Sequence, residues 1–246
     1  MVSRKQPEQQ APPVQRLRVR YAKRGRARFT SHRDFGRAFE RALRRAGVPM
    51  AYSSGFSPHP RISYANASPT GAASEAEYLE IGLAEHCDPA KVQVALDAAL
   101  PPGLDVVEVV PSPPGALADL LTGSRWAIDL VGLDAAVVQQ AVDRLLGEQS
   151  VQVERMTKNG LRHFDARAAM VSLDVGRPGG ASDEQPAGPT VRLLVTLEHT
   201  VPAVRPDDVL AALVAVSPDA TPGAAPVLTR LSQGILDQAT GAITEP

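Results

Sequence analysis

Two of the five histidines in this 246-residue chain lie in contexts that could support acid–base chemistry or RNA recognition. His59 stands between Pro58 and Pro60 in the stretch YSSGFSPHPRISYA, and the two prolines restrict the backbone around it. Arg61 follows two residues later, on the same side of an extended backbone. A stiff backbone makes the position of a side chain reproducible, which binding and catalysis both require. The alternative is a proline-rich turn between two strands, in which His59 has no task.

The second histidine, His32, lies in the first turn of a predicted helix, after the good N-cap residue Ser31 and before Asp34. The helix dipole disfavours a cationic imidazole at this end, so His32 would tend to stay neutral and could act as a proton acceptor. With Glu75 of a predicted strand, His32 and His59 could form a metal-free acid–base site for RNA cleavage or transfer. The alternatives are an exposed histidine without a task and a glutamate on a solvated strand face.

Positive charge is concentrated near the start of the chain. Residues 1–61 hold 15 of the 26 Lys and Arg residues but 3 of the 27 Asp and Glu residues. This segregation predicts a basic face that binds a polyanion, although the two halves could instead neutralise each other in the fold. The candidate RNA-phosphate ligands are Lys23, Arg24, Arg26, Arg28, Arg33, Arg37 and Arg61.

Aromatic side chains near His59 add a second element of RNA recognition. Proteins that bind single-stranded RNA stack its bases on aromatic rings. Tyr52 and Phe56 lie in the same stretch as His59. We therefore predict that Tyr52, Phe56 and His59 contact a base or its ribose.

The sequence lacks the signatures of most common enzyme classes. It contains neither a G-x-x-x-x-G-K-[ST] nor a G-x-G-x-x-G loop, no G-x-S-x-G nucleophile elbow and no H-E-x-x-H. The single cysteine, Cys87, excludes an internal disulfide and a cysteine-rich zinc or iron–sulfur centre. We therefore predict no cofactor and no metal site. No apolar run approaches the ~20 residues that span a bilayer, so the expected location is the cytoplasm, without a membrane partner.

Hydrophobic periodicity predicts the elements that must position these residues. Residues 16–21 alternate between arginine and apolar side chains, which predicts a strand with a basic outer face that includes Arg18. Residues 26–29 are predicted to continue in an extended conformation. Apolar residues at helical spacing predict a helix between the N-cap Ser31 and Gly47.

The order strand, helix, strands, helix, strand occurs in the first half and again in the second, where Lys158-Asn159-Gly160 predicts a hairpin turn. Such runs build antiparallel sheets with helices packed on one face. We therefore predict an α+β protein with two tandem ferredoxin-like domains. The predicted parts are a disordered leader without a signal-peptide core (1–15), a basic N-terminal domain (16–110), a linker (111–124), a C-terminal domain (125–235) with a mobile insertion (176–189), and a tail (236–246).

Residues 26–83 resemble a bacterial family of unknown function, the radical SAM-linked proteins. FTSHRD, FERALRRAG, YSSGFSPHPRIS and SEAEYLEI carry the resemblance, which thins over the rest of residues 16–235. The matching positions are Ser31, His32, Asp34, Gly55, Phe56, Pro58, His59, Pro60, Arg61, Ser74, Glu75, Glu77 and Tyr78. The chain departs from the family at Arg33, where leucine is usual, and at Ser57, where asparagine is common.

This resemblance implies a partnership rather than a known reaction. Members are encoded beside, or fused to, a radical SAM protein, and often lie near an RNA-processing ribonuclease. Radical SAM enzymes need three cysteines for their cluster, so a chain with one cysteine would be an accessory. The leading hypothesis is an RNA-binding accessory protein that presents tRNA or rRNA to a radical SAM partner. A metal-free RNA-processing enzyme and a protein-interaction module are the alternatives.

Overall fold

The computed structural model describes residues 9–157, 160–176 and 190–246. The helices in these ranges are α1 His32–Arg45, α2 Pro89–Ala99, α3 Leu117–Leu120, α4 Ala135–Gly147 and α5 Pro206–Val216. The strands are β1 Gln15–Lys23, β2 Ile62–Ala65, β3 Ala73–Leu83, β4 Leu104–Pro111, β5 Gly123–Val131, β6 Gln152–Thr157, β7 Gly160–Asp165, β8 Met170–Gly176, β9 Thr190–Glu198, β10 Val227–Leu236 and β11 Ile243–Thr244. The protein is therefore mixed α+β with mostly antiparallel strand pairing. Within the same ranges, no helix has the length and apolar character to cross a membrane.

The chain divides into two compact units. Unit 1 takes in Met1–Thr70 and Ala76–Leu117, and unit 2 takes in Gly71–Glu75 and Ala118–Pro246. β3 therefore begins in unit 2 and continues in unit 1. The division falls within the stretch predicted as a linker, but part of that stretch is regular structure, because β4 includes Pro111 and β5 begins at Gly123.

The strands of unit 1 lie in the order β4-β1-β3-β2. β1 pairs antiparallel with β4, and β2 pairs antiparallel with β3. Phe39 of α1 and Leu96 of α2 share a core with Val19 of β1 and Ile81 of β3. Because side chains alternate between the two faces of a strand, this shared core places both helices on one face of the unit 1 sheet.

The ends of α1 confirm the sequence prediction. The Ser31 hydroxyl accepts a hydrogen bond from the backbone N–H of Asp34 at 3.2 Å and donates one to the Asp34 carboxylate at 2.7 Å. At the other end, Ala46 is the C-cap and Gly47 follows with a φ of +66°. Glycine adopts this left-handed conformation without strain, which is why the helix ends here.

Two local predictions in unit 1 are wrong. Residues 26–29 are not extended, because Gly25, with a φ of +50°, turns the chain into a 3₁₀ helix at Gly25–Phe29. Arg18 is not part of a solvent-facing basic surface, because its side chain is 2% exposed and pairs with Glu80 of β3. The alternation in the sequence identifies the face of the strand but not the residue that covers it.

The segment directly before β1 is anchored to unit 1. The backbone N–H of Val14 donates to the carbonyl of Leu83 at 2.9 Å. The Gln15 side chain donates to the Cys87 carbonyl at 3.0 Å and accepts from the Cys87 N–H at 2.7 Å. This end of the predicted disordered leader is therefore ordered, and residues 1–8 lie outside the described ranges.

Unit 2 has a related order of elements. Its strands lie in the order β10-β5-β9-β8, with α4 after β5 and α5 after β9. Val142 of α4 and Leu213 of α5 share a core with Ile128 of β5. β6 and β7 form a separate antiparallel hairpin between α4 and β8, as the sequence predicts. Residues 158–159 of the predicted turn and residues 177–189 of the predicted insertion lie outside the described ranges.

Two short pairings complete unit 2. β11 pairs antiparallel with β10, with Thr244 opposite Ile235, so the predicted tail folds back onto the sheet. The first residues of β3 pair in parallel with β10, with Ala73 opposite Thr229. The strand that begins unit 2 in the chain thus lies beside its last long strand.

A buried ion pair links two central strands of unit 2. Asp129 of β5 lies directly opposite Arg192 of β9. Arg192 Nε donates to Asp129 Oδ1 at 2.7 Å and Nη2 donates to Oδ2 at 2.8 Å. The side chains of Arg192 and Asp129 are 10% and 3% exposed. The hydrogen bonds to Asp129 raise the pKa of Arg192, so the guanidinium stays charged inside the protein.

Asp129→Ala should lower the free energy of unfolding by about 3–5 kcal/mol, because it leaves the Arg192 guanidinium buried without a partner. Asp105→Ala is the matched control, since Asp105 pairs with Arg24 at 3.0 Å while both side chains are 40% exposed or more. An exposed pair of this kind contributes less than about 1 kcal/mol. Urea denaturation of both variants measures the difference, and equal losses would contradict the prediction.

A histidine closes a chain of hydrogen bonds in unit 2. The Trp126 indole N–H donates to Ser124 Oγ at 2.8 Å, and Ser124 Oγ lies 2.9 Å from His199 Nε2. His199 Nδ1 lies 2.6 Å from the carbonyl oxygen of Leu121. A carbonyl only accepts, so Nδ1 carries the proton and Nε2 accepts from Ser124. Burial is the main cause that lowers the pKa of His199 from its usual 6.5, which keeps the ring neutral.

The free energy of unfolding should fall as the pH drops below 6.5. The reason is that His199 binds a proton more tightly in the unfolded chain than in the folded one. The loss levels off below the lowered folded-state pKa, where both states carry the proton. Unfolding followed by the fluorescence of Trp126, the single tryptophan, reports on this region. His199→Gln should flatten the pH dependence between about 5 and 6.5, and an unchanged slope would show that another group titrates there.

Candidate functional site

The loop of residues 52–61 is held by hydrogen bonds to its own atoms. The backbone N–H of Ser53 donates to the His59 carbonyl at 2.8 Å, and the N–H of His59 donates to Ser53 Oγ at 3.0 Å. Arg61 Nε donates to the Tyr52 carbonyl at 3.1 Å. These contacts close the base of the loop, where His59 and Arg61 lie. Besides the two prolines, these hydrogen bonds therefore restrict the conformation of the loop.

A cavity of about 320 Å³ lies beside this loop, entirely within unit 1. Its lining includes Arg16, His59, Arg61, Ser63, Glu80 and Gly82. Two guanidinium groups, an imidazole and a carboxylate thus share one space. The volume is at the lower end of the range of about 300–1,000 Å³ that is typical of small-molecule sites. We call it the Arg16–Arg61 cavity.

One carboxylate oxygen of Glu80 on β3 accepts hydrogen bonds, and the other has no partner among the described residues. Glu80 is 8% exposed. Its Oε1 accepts hydrogen bonds from Arg18 Nη2 at 2.9 Å and from the Ser112 hydroxyl. Its Oε2 has no hydrogen-bond partner among the described residues. Arg18 does not line the cavity, so Glu80 is neutralised from outside it.

Gly82 allows two segments to approach β3 closely at the cavity wall. A Cβ at this position would lie 3.0 Å from Pro13 Cβ and 3.3 Å from Arg61 Cβ. The N–H of Gly82 donates to the Arg61 carbonyl at 2.9 Å, and its carbonyl accepts from the Ala51 N–H at 2.8 Å. A glycine in a strand often marks such a close approach of backbone. The shape of the cavity therefore depends on the missing side chain at Gly82.

His32 lies at the start of α1, away from this cavity. Its ring packs edge-on against Tyr64, with 4.9 Å between the ring centres. Burial, followed by the nearby charge of Glu40, raises the pKa of Tyr64 to about 12, so its hydroxyl stays protonated at neutral pH. His32 lines a separate and much smaller cavity that also borders Lys23.

The structure does not bring the two candidate catalytic histidines together. His59 lines the Arg16–Arg61 cavity and His32 lines the smaller one. Acid–base catalysis requires both groups within hydrogen-bond reach of one substrate, which separate cavities do not provide. The third candidate, Glu75, is half-buried on β3 in the part of the strand that belongs to unit 2.

The candidate phosphate ligands near the end of β1 differ in their availability. Lys23 is 5% exposed and is therefore not a surface cation. Arg24 pairs with Asp105 at 3.0 Å. The Arg28 guanidinium lies 4.6 Å from the centre of the adjacent phenylalanine ring, and Arg26 is exposed. The 3₁₀ helix thus presents fewer free cations than the sequence suggests.

α1 carries a row of arginines on its exposed side. The spacing of four, four and three residues places them along one side of a helix. They are Arg33, Arg37, Arg41 and Arg44. All four are exposed, and within the described ranges none of their side chains forms an ion pair or a hydrogen bond. We call them the α1 arginine row.

The α1 arginine row and the Arg16–Arg61 cavity lie on opposite faces of the unit 1 sheet. Val19 and Ile81 point into the core beneath the helices. Arg16 and Glu80 occupy the alternate positions on the same strands and line the cavity. The α1 arginine row and the cavity arginines Arg16 and Arg61 thus lie on two surfaces rather than one.

Two aromatic candidates belong to the 52–61 loop but do not line the cavity. Tyr52 is 39% exposed and Phe56 is 70% exposed. Arg16 and Glu80, by contrast, line the cavity although the sequence analysis did not include them among the site residues. Strand alternation places both on the non-core face, but no sequence signal indicates that the 52–61 loop packs beside them.

Comparison with known proteins assigns the chain to a family for which no activity is described. Residues 16–206 match the model of a family described as an uncharacterized protein conserved in bacteria (DUF2344). That range includes Arg16, His59, Arg61 and Glu80 of the cavity lining. No curated protein matches the chain.

Gly82→Ala should destabilise unit 1 and deform the Arg16–Arg61 cavity, because the new Cβ would press against Pro13 and the backbone-linked Arg61. We expect a loss of about 1–3 kcal/mol, as for other overpacked sites. Gly36→Ala is the control, since its Cβ would meet the Tyr64 hydroxyl at an ordinary 3.5 Å. That change should raise stability by about 0.5–1 kcal/mol through helix propensity. Urea denaturation compares them, and a gain at both positions would refute the close approach at Gly82.

Proposed function

The chain belongs to the DUF2344 family, and we propose that it is an RNA-binding accessory protein. It presents RNA, either tRNA or rRNA, to a radical SAM partner that modifies it. The observation that carries this proposal is the α1 arginine row. The radical SAM partner comes from the resemblance of residues 26–83 to the radical SAM-linked proteins.

The α1 arginine row suits an RNA backbone for electrostatic and geometric reasons. Like charges on one side of a helix repel each other, and in the described ranges none of these four forms an ion pair with an acidic side chain. A polyanion would relieve that repulsion. Arginine presents a planar fork that binds phosphate through two hydrogen bonds. Successive arginines lie about 4.5–6 Å apart along the helix axis, so an extended strand of RNA could contact several of them.

The two units share one order of strands and helices. We infer that each unit is a ferredoxin-like domain, because each runs strand, helix, two sheet strands, helix, strand. The strand order is that of the fourth, first, third and second of these strands in both units. Two tandem ferredoxin-like domains also occur in RNA endonucleases of CRISPR systems, which is an analogy of fold and not of activity.

The accessory role follows from the cysteine content of the chain. A radical SAM cluster needs three cysteines, and this chain has Cys87 alone. The partner must therefore hold the cluster, while this protein contributes its basic surface to RNA. We assign Arg33 and Arg37 to phosphate contacts, as the sequence analysis predicts, and add Arg41 and Arg44. Arg26 is a further exposed cation near them in sequence.

Replacing Arg33 and Arg37 with glutamine should weaken RNA binding by about tenfold or more, because each loses a charge-assisted contact to phosphate. The slope of log affinity against log salt should become shallower by roughly 0.7 for each arginine removed. Fluorescence anisotropy with a labelled single-stranded RNA and with tRNA, at several salt concentrations, measures both effects.

The matched control is Arg125→Gln combined with Arg162→Gln, which removes the same charge from exposed positions in unit 2. It should leave RNA affinity within about twofold of the wild type, since neither arginine belongs to the α1 arginine row. RNA affinity that is absent, or that does not change with salt, would refute the proposed function. An equal loss in both double variants would show that net charge alone accounts for binding.

A further inference from the structure

We propose that the Arg16–Arg61 cavity holds one unstacked nucleotide of the bound RNA. Its phosphate lies on Arg16 and Arg61, and a hydroxyl or amino group of the nucleotide donates a hydrogen bond to Glu80. This inference rests on the proposed function, because it assigns a second, separate contact to the same RNA. It adds two residues, Arg16 and Glu80, and a chemical class of ligand.

Two guanidinium groups supply the anion-binding half of the site. The Arg16 side chain is exposed and, within the described ranges, forms no ion pair or hydrogen bond. Arg61 Nε donates to the Tyr52 carbonyl at 3.1 Å, which orients the group and leaves its two terminal nitrogens available. His59 lines the same cavity. A phosphate can accept from both arginines at once, which a neutral ligand cannot exploit equally.

Glu80 supplies the accepting half of the site. Its Oε1 is occupied by Arg18 and Ser112, so the carboxylate is held in place from outside the cavity. Its Oε2 has no partner among the described residues, although the side chain is more than nine-tenths buried. Oε2 is not one of the fully buried polar atoms that lack a partner, so solvent reaches it and a ligand donor can take the place of water there. One free oxygen accepts from a single donor, such as a ribose hydroxyl or an exocyclic amino group.

The arrangement of charges explains why Glu80 does not close the site by itself. A carboxylate beside two guanidinium groups would ordinarily pair with them. Here Arg18 takes that place, at 2.9 Å and 2% exposed. Within the described ranges, Arg16 and Arg61 form no ion pair and are therefore free to bind an anionic ligand. The combination of unpaired cations and an unpaired acceptor matches a nucleotide better than it matches a simple anion.

The size of the cavity limits the ligand to one nucleotide. About 320 Å³ can enclose a nucleoside or part of a nucleoside monophosphate, but not two stacked nucleotides. A base enters such a space only after it leaves its stack, which costs a few kcal/mol and is easiest in single-stranded RNA. The cavity and the α1 arginine row lie on opposite faces of the sheet, so one RNA must pass around unit 1 to reach both.

The test uses the full chain and AMP as the probe, with binding measured by an NMR chemical-shift titration. Wild-type protein should bind AMP at least about tenfold more tightly than adenosine, because the phosphate contacts are charge-assisted. Arg16→Ala should lose this advantage without affecting the fold, since the exposed side chain forms no hydrogen bond or ion pair in the described ranges. Arg125→Ala, an exposed arginine of unit 2, is the control and should bind AMP like the wild type.

The role of Glu80 is tested both by changing the nucleotide and by substituting the residue. Weaker binding of dAMP would assign Glu80 to the ribose hydroxyl, and weaker binding of purine riboside monophosphate would assign it to the base amino group. Glu80→Gln should remove whichever preference is found. Because that change also touches Arg18, Ser63→Trp provides a second variant: Ser63 is exposed, lies opposite Glu80 in the sheet and lines the cavity. It should block AMP by filling the space.

The outcomes separate this inference from the proposed function. AMP affinity that is absent, or unchanged in Arg16→Ala and Ser63→Trp, would overturn the nucleotide site. Equal binding of all three nucleotides, together with wild-type behaviour of Glu80→Gln, would overturn the role of Glu80. If the Arg33 and Arg37 double variant loses RNA affinity while Arg16→Ala keeps it, the proposed function stands and the nucleotide site fails. If Arg16→Ala loses AMP affinity while the Arg33 and Arg37 double variant keeps RNA affinity, the nucleotide site stands and the α1 arginine row is not the RNA-phosphate surface.

Discussion

The carboxylate of Glu80 is the constraint on which the arrangement of unit 1 depends. Glu80 lies on β3, and its Oε1 binds Arg18 of β1 and the hydroxyl of Ser112, the residue that follows β4. One oxygen atom thus connects three neighbouring strands. A buried ion pair contributes little net stability compared with apolar packing, but the loss of either partner is costly. The pair places Arg18 against Glu80, and in the described ranges Arg16 and Arg61 are left without an acidic partner.

The cations of unit 1 divide into those that are buried or paired within the protein and those that are exposed to solvent. Arg18 and Lys23 are buried, and Arg24 has an acidic partner. The exposed arginines without an ion pair include the α1 arginine row on the helix side of the sheet and Arg16, which lines the Arg16–Arg61 cavity on the other side. The cavity exists because Gly82 lets the chain pass close to β3 and because the 52–61 loop is cross-linked at its base. The shape of the cavity thus depends both on the hydrogen-bonded 52–61 loop and on the lack of a side chain at Gly82.

Prediction from sequence succeeded where a local rule decides the structure. The Ser31 cap, the left-handed Gly47 and the apolar spacing of α1 depend on atoms a few residues apart, and all three are confirmed. The order of strands and helices in both units also follows from local patterns. Prediction failed for residues 26–29, where the turn at Gly25 outweighed the extended tendency of the segment that follows. It failed for Arg18, whose partner lies 62 residues further along the chain.

The sequence by itself determined that this is an α+β protein with its cations at one end, without the signatures of common enzymes, and with a stiff Pro-His-Pro loop. These properties depend on residue type and on short spacing. Only the tertiary structure decided that His32 and His59 line separate cavities, and that Arg16 and Glu80 join Arg61 around one space. The physical reason is that burial and the pairing of charges depend on contacts between strands. Such contacts are set by packing across the sheet, and the local sequence around each residue does not predict them.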